Sequence, residues 1–351
     1  MKQTYFGLFI TLILLSCHKQ ETPATPISIQ KNSIHGLVTM GSTKDLRNGN
    51  FEVLKEANVH PDIYSGVVIK TTWGDLEPQR GEFNFATIQT ALHDIQTYNN
   101  EHPNHPLKAK LRISTTINTP SWVLNLANGP VDVVIDSTIS YPVALFWTQQ
   151  YRQAWKELQI ALAQQFDTHK LIQEVCVTAP AMATDEPLAT IFNQETIYNL
   201  KQKGFTDEAF KEVLEGVIED YACWQYTYID YSFNIHRKID SGIQVKDTIF
   251  TKELMQKFLQ TFPDRAVFSN HGLRQHLTPG AEFTFRNMKL IGQNIAAQTK
   301  SPHDLSDQTF EVGLSYGVTE FEIWDSQSAG GYAHFDTNDL LRWKSIIENG
   351  F

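Results

Sequence analysis

The sequence is short of cysteine, of positive charge and of long apolar runs, and each shortage excludes a class of protein. Three cysteines in 351 residues are too few for a disulfide framework. The 29 Lys and Arg against 39 Asp and Glu give a formal charge of −10, so the basic face needed to bind nucleic acid is not expected. The apolar run at residues 6–15 is shorter than the roughly 18 residues of a membrane-spanning helix.

A phosphate-binding loop is also lacking. Residues 36–43, GLVTMGST, hold two glycines but not the lysine that reaches the phosphates in such loops. Apolar residues make up 41% of the chain and aromatic residues 11%, which is enough for a sizeable core. Although the length would allow two domains, α/β barrels of this size are commonly single units.

The N-terminus has the pattern of an export signal. One Lys is followed by the short apolar run and then by Leu-Leu-Ser-Cys, which ends at Cys17. This ending resembles the bacterial lipobox, which implies cleavage after residue 16 and a lipid on Cys17. The alternative is an ordinary signal with a chance cysteine. Residues 17–32 are polar with two prolines and are expected to be a flexible tether. The protein is then anchored to a membrane of the bacterial cell envelope, at the outer membrane or the cell surface.

The other two cysteines, Cys176 and Cys223, lie in apolar segments. A disulfide between them is compatible with an export compartment. Buried free thiols are the favoured interpretation.

Eight short β-rich runs alternate with helical patterns from residue 34 onward. This alternation predicts a parallel sheet with crossover helices, and its closure gives a single (β/α)8 TIM barrel over residues 33–351. An open doubly wound sheet is the alternative. The predicted strands are residues 34–41, 64–72, 108–117, 171–180, 226–236, 265–272, 294–301 and 318–326.

In such barrels the active site lies at the carboxyl ends of the strands. The residues at these predicted ends are mainly carboxylates, amides and tryptophans, with few cations. Paired carboxylates cleave glycosidic bonds, tryptophans stack on sugar rings and amides bind hydroxyls. The candidate hydroxyl-binding residues are Asn118, Asn234, His236, Asn270, His271 and Gln298.

Side-chain alternation in the last strand, VTEFEIWDS, predicts which residues enter the barrel. Phe321 and Ile323 should meet the outer helices, so Glu320, Glu322 and Trp324 should point inward. Buried acids are costly unless they are bonded or used. They therefore belong either to catalysis or to a structural ion pair with an inward cation such as Arg112. Glu322 is nearer the rim and is ranked first.

Two segments resemble barrel glycoside hydrolases of the β-galactosidase and cellulase superfamily. Residues 71–92, TTWGDLEPQRGEFNFATIQTAL, resemble the second-strand region, and residues 111–125, LRISTTINTPSWVLN, resemble the third. The resemblance implies that Trp73 to Glu77 form a sugar-facing rim, with Trp122 just beyond strand three. From their places at strand ends, Trp73, Trp122 and Trp324 are the candidates for stacking on sugar rings. The resemblance also implies a proton donor in the loop after strand four, where Asp185 and Glu186 lie.

The sequence departs from the superfamily at both catalytic positions. Strand four normally ends Asn-Glu-Pro, whereas this chain has Thr178, Ala179 and Pro180. The nucleophile normally ends strand seven, where this chain has Gln298, unless TEFEIWD is itself the seventh strand. Either the pair has moved to Glu186 and Glu322, or the barrel binds glycan without cleaving it.

The sequence therefore predicts a lipid-anchored glycoside hydrolase that cleaves an extracellular oligo- or polysaccharide. Glu186 is the expected proton donor and Glu322 the nucleophile or base, with Asp185 and Glu320 as alternatives. No cofactor is implied, and the two histidines of NNEHPNHPLK are too weak a signal for a metal site. The competing hypotheses are a non-catalytic glycan-binding surface lipoprotein on a degenerate barrel, and a structural envelope lipoprotein.

Overall fold

A computed structural model describes residues 29–41, 53–136, 139–181, 185–187, 192–324 and 336–349. Eight parallel strands close into a barrel, in which each strand pairs with its neighbours in chain order and the last pairs with the first. The predicted single (β/α)8 barrel is confirmed. Its strands are β1 (Gly36–Met40), β2 (Gly66–Thr72), β3 (Lys108–Ser114), β6 (Ile172–Val177), β7 (Tyr228–Ser232), β10 (Ala266–Leu273), β11 (Asn294–Thr299) and β12 (Glu320–Trp324).

Helices cover the outside of the barrel between the strands. Several begin at a Ser, Thr, Asn or Asp whose side chain accepts from a backbone N–H of the first turn, as Thr148 does from Tyr151. The helices are α1 (Lys55–Val59), α2 (Trp73–Leu76), α3 (Ala86–Glu101), α4 (Ser121–Leu124), α5 (Gln149–Phe166), α6 (Gln194–Gln202), α7 (Asp207–Asp220), α8 (Thr248–Thr261), α9 (Pro279–Ile291), α10 (Asp307–Ser315) and α11 (Thr337–Asn349).

The alternation predicted for the last strand is confirmed. Phe321 packs outward against Phe310, with ring centroids 5.3 Å apart, and Phe310 in turn stacks on Trp343 of α11. Glu320 and Glu322 point the other way and reach Lys110 inside the barrel. The apolar core therefore lies between strands and helices, whereas the barrel interior is strongly charged.

Two antiparallel hairpins extend the loops beyond the barrel strands. One joins β4 (Val131–Asp136) to β5 (Ile139–Val143), and the other joins β8 (His236–Lys238) to β9 (Val245–Asp247). The run at 226–236 was predicted as one strand, which is wrong at its end. The barrel strand stops at Ser232, and His236 begins the separate hairpin.

The chain preceding β1 lies across the amino-terminal end of the barrel. Lys31 donates to Thr227 Oγ1 at 2.8 Å, Asn32 N–H to Gln173 Oε1 at 2.9 Å and Ile34 N–H to Glu174 Oε1 at 2.7 Å. Residues 31 and 32, expected to be tether, are therefore bound to the barrel. The predicted signal peptide and Cys17 lie outside the described residues.

Within the part of the chain that the structure describes, no helix is both long and apolar enough to cross a membrane. Cys176 is a buried free thiol and Cys223 a half-buried one, so the favoured interpretation of two free thiols is confirmed.

Candidate active site

Lys110 on β3 is the centre of a buried cluster of charges inside the barrel. Its ammonium lies 2.9 Å from Glu174, 2.9 Å from Asp230, 2.5 Å from Glu320 and 3.0 Å from Glu322. Burial favours loss of its proton, but the four carboxylates outweigh this and raise the pKa of Lys110 well above its ordinary value. Inward-facing residues of four strands are joined through one cation.

Arg112, two residues further along β3, forms a second layer nearer the carboxyl ends of the strands. It donates two hydrogen bonds to Glu322, of 2.7 and 2.8 Å, and one of 3.3 Å to Gln298 Oε1. Burial opposes ionisation of Glu322, but Arg112 and Lys110 outweigh it and hold the pKa of this carboxyl well below its usual range. Glu322 is thus a buried, ionised carboxylate with both oxygens occupied.

Glu320 lies one layer deeper and has the opposite electrostatics. Burial, with Glu174 and Glu322 nearby, raises the pKa of Glu320 well above its ordinary value, although Lys110 acts against this. Within the described interior, more carboxylates than cations are present, which is why repulsion between carboxylates adds to burial at Glu320.

Asp185, just beyond strand β6, is held at the rim by two strands. Lys70 of β2 lies 3.1 Å from its Oδ2, and Ser114 of β3 donates to its Oδ1. Burial would raise the pKa of Asp185, but Lys70 and Arg112 outweigh it and leave the pKa below its usual value. Its side chain is 11% exposed, compared with 2% for Glu322.

Glu186 lies at the same rim and contacts two of the predicted site residues. His271 Nδ1 lies 3.4 Å from Glu186 Oε1, and Asn234 Nδ2 donates to the same oxygen at 3.2 Å. Asn270 supports this arrangement, since its Nδ2 donates to Phe233 O at 2.8 Å and contacts Asn234 Oδ1 at 3.4 Å. Burial lowers the pKa of His271, which keeps the ring neutral near pH 7.

A cavity of about 400 Å³ opens at these residues. Glu186, Asn234, Asn270 and His271 all line it, together with the start of α9. A larger depression of about 820 Å³ lies on the outer wall, between α1 and α3. Because the carboxyl ends of the strands carry the chemistry in such barrels, the smaller cavity is the candidate active site.

Trp73 and Glu77 occupy the core and not a sugar-facing rim. Both side chains are completely buried. Trp73 Nε1–H donates to Glu77 Oε2 at 2.9 Å and its ring packs edge-on against Trp155, while Gly81 N–H donates to Glu77 Oε1 at 2.8 Å. The buried positions correct the expected stacking role, because no ring face of Trp73 is left for a sugar.

The other two tryptophans expected to stack on sugar, Trp122 and Trp324, are half-buried. Trp122 Nε1–H donates to Glu77 O at 3.0 Å, and Trp324 Nε1–H donates to Thr299 O at 3.0 Å. The Lys70 ammonium lies 5.2 Å from the Trp324 ring centroid. Trp324 is thereby placed beside the Asp185 ion pair, whereas Trp122 packs edge-on against Trp73, 6.1 Å away.

Three remaining candidates lie apart from the cavity wall. Asn118 is half-buried in the short 3-10 helix Thr116–Asn118, and Gln298 is bound to Arg112 inside the barrel. His236, the first residue of the second hairpin, is buried with the rings of Phe210 and Phe250 at 5.9 and 4.9 Å. Burial lowers the pKa of His236 to about 4. Its position corrects the expected contact with sugar hydroxyls.

Four basic residues of the cavity wall were missed by sequence analysis, and they are Arg237, Lys246, Arg274 and Lys300. Two belong to the hairpin β8–β9, whose three-residue strands carry too little apolar alternation to be recognised. Arg274 and Lys300 follow β10 and β11 directly, and inspection of cations at strand ends would have found them.

No known family model matches this chain, and no curated protein matches it in sequence. Several solved structures share its fold. The catalytic domain of β-amylase from Paenibacillus polymyxa has a TM-score of 0.56 at 12% identity and covers 90% of this chain and 98% of its own. Endo-glycoceramidase II from Rhodococcus sp. has a TM-score of 0.52 at 11% identity and covers 85% and 75%.

The β-galactosidase from the psychrophilic Marinomonas ef1 has a TM-score of 0.54 at 9% identity. It matches 89% of this chain and 59% of the galactosidase. Similarity at such identities extends to the fold alone. The chain has the (β/α)8 barrel fold that these glycoside hydrolases share.

Proposed function

We propose that the protein is a glycoside hydrolase that cleaves an extracellular oligo- or polysaccharide, with Glu186 as the proton donor. The supporting observation is the position of Glu186 at the strand ends, on the cavity wall, with His271 and Asn234 both at its Oε1. A carboxyl group in such a place can protonate the leaving oxygen of a glycosidic bond. The fold shared with glycosidases supports the same reaction class.

The reaction also needs an ionised carboxylate to attack the anomeric carbon or to activate water. Asp185 and Glu322 are both held ionised by neighbouring cations. We favour Asp185 as the partner, because its side chain is 11% exposed, whereas that of Glu322 is 2% exposed. Glu322, the partner expected from the sequence, stays in the test as the alternative.

Binding of glycan without cleavage is the second candidate function. It is favoured by the paired state of the interior carboxylates, since a catalytic base that is committed to an arginine cannot readily accept a proton. In that case Glu186 would bind a sugar hydroxyl and no residue would act as nucleophile.

The deciding experiment measures reducing-end release from a broad polysaccharide panel by the chain from residue 18 onward. Glu186→Gln, Asp185→Asn and Glu322→Gln are compared with Glu253→Gln, a control at an exposed position of α8. We expect a loss of at least about 100-fold for Glu186→Gln and Asp185→Asn, the usual contribution of such groups. Loss in Glu322→Gln with full activity in Asp185→Asn would assign the partner to Glu322. Binding by a parent chain that cleaves nothing would establish the second candidate.

We further propose that Cys17 carries a lipid and anchors the barrel at the cell envelope, at the outer membrane or cell surface. The Leu-Leu-Ser-Cys ending and the polar stretch that follows support this placement.

A further inference from the structure

The cavity beside Glu186 has an unusual charge for a sugar-binding site. Arg237, Lys246, Arg274 and Lys300 line it, and Glu186 is the one acid among the described lining residues. None of the four cations forms an ion pair with a described carboxylate. In a chain with a net charge of −10, four cations without an ion-pair partner in the described ranges are a marked concentration of positive charge at one cavity.

Two of these cations directly oppose each other in the second hairpin. Arg237 of β8 is the cross-strand partner of Lys246 of β9. Like charges directly opposite each other destabilise a strand pair, unless an anion offsets the repulsion. The neighbouring lysines are arranged differently, since Lys211 and Lys238 both lie within 3.4 Å of Asp247 on the other side of the hairpin.

The other walls of the cavity present donors and an unused ring nitrogen. Arg274 Nε is buried without a hydrogen-bond partner, and so is Nε2 of His271, a residue with 7% exposure. The 13-residue helix α9 begins at the cavity, capped by Thr278, so its positive dipole end faces the same space. Buried polar atoms are normally satisfied, so these two nitrogens at the cavity are available to bind a ligand there.

We infer that this cavity binds an anionic group of the glycan, a carboxylate of a uronic acid or a sulfate ester, through Arg237, Arg274 and the start of α9. Lys246 and Lys300, both exposed, add long-range attraction at the opening. His271, which contacts Glu186 through Nδ1, has Nε2 left for a hydroxyl of the same sugar. The inference names the substrate class of the proposed hydrolase. It rests on that proposal, because the anion site lies next to the cleaved bond only if Glu186 is the proton donor.

The test measures binding to two matched pairs of polymers by affinity electrophoresis and calorimetry. Polygalacturonate is paired with its methyl ester, and dextran sulfate with dextran, so each pair differs in charge. We expect the anionic member of one pair to bind about tenfold more tightly than its neutral partner. A preference for polygalacturonate identifies the bound group as a carboxylate, and a preference for dextran sulfate identifies it as a sulfate ester. One charge-assisted hydrogen bond accounts for a factor of this size.

Variants distinguish specific binding of the anion in the cavity from general electrostatic attraction to the protein surface. Arg274→Gln should weaken anion binding about tenfold, and Lys300→Gln should weaken it less. Arg286→Gln removes the same charge from an exposed position of α9 and should leave binding unchanged. Since Lys300 is exposed, its substitution remains informative if Arg274→Gln fails to fold. Equal losses in Arg274→Gln and Arg286→Gln, or no preference for either anionic polymer, overturn the inference.

Cleavage assays test the proposed hydrolase activity separately from the proposed anion site. Charge-dependent binding through Arg274 by a chain that cleaves nothing would support the anion site and remove the hydrolase. Cleavage of a neutral glycan at an undiminished rate in Arg274→Gln would support the hydrolase and remove the anion site.

Discussion

Arg112 Nη2 donates inside the barrel to both carboxylate oxygens of Glu322, at 2.7 and 2.8 Å. The pair lies one layer above Lys110 and one layer below the rim that holds Asp185. It therefore connects the buried charge cluster around Lys110 to the carboxylates at the strand ends. Such a buried ion pair is costly to break, because the charge that remains is not solvated by water.

Glu322→Gln should therefore destabilise the fold by about 3 kcal/mol, since it leaves the Arg112 guanidinium without a full countercharge. Glu320→Gln, on the same strand and equally buried, should not destabilise it, because the pKa of Glu320 already favours the protonated form. Urea denaturation of both variants at pH 7 gives the comparison. Equal losses would mean that the two glutamates share one electrostatic role.

The contribution of Glu320 to stability has a pH dependence of defined sign. A carboxyl whose pKa is raised on folding binds its proton more tightly in the folded state, so its contribution is most favourable below the unfolded pKa of about 4.3. The contribution is lost as the pH rises through the raised pKa of Glu320. Glu320→Gln should therefore gain stability relative to the parent between pH 4 and pH 8. A constant difference over this interval would contradict the raised pKa.

Glu77 is predicted to act in stability and not in glycan binding. Glu77→Gln leaves one acceptor oxygen for two donors, Trp73 Nε1–H and Gly81 N–H, so one of them loses its partner at a cost of about 1–3 kcal/mol. Thermal unfolding measures this loss, and glycan affinity of the folded variant should equal that of the parent. Weakened binding at unchanged stability would restore the sugar-facing role expected from the sequence.

Cys17→Ser should move the protein from the membrane fraction to the soluble or secreted fraction of a bacterial host. The reason is the loss of the thiol that a lipid would modify. Fractionation with metabolic labelling by a radioactive fatty acid measures both effects, and Cys223→Ser is a matched control at a half-buried thiol. Persistence of label in Cys17→Ser would exclude the lipobox interpretation.

The barrel was predictable because each of its eight strands is a short β-rich run followed by a helical pattern. The inward direction of Glu320 and Glu322 followed from alternation alone. Their partners were only partly predictable: Arg112 was named as a possible cation, but Lys110 was not. The residues that face each other across a barrel depend on how its strands are staggered, which no single strand encodes.

The cavity was the least predictable part. Arg237 and Lys246 are brought to it by a hairpin of two three-residue strands that carries no recognisable pattern. The segment around Trp73 and Glu77 was instead predicted to bind sugar, although it belongs to the core. Its aromatic and acidic composition fits a sugar-binding rim, but its indole and carboxylate bond to each other in the core.

The binding of residues 31–34 across the amino-terminal end of the barrel has a directional consequence. Whatever lies upstream leaves the barrel at the pole opposite Glu186 and the basic cavity. A chain attached to a surface through that segment would present its reactive pole outward, toward polymers arriving from the medium. Because the segment upstream of residue 31 is expected to be flexible, its length would set how far this pole can reach from the surface.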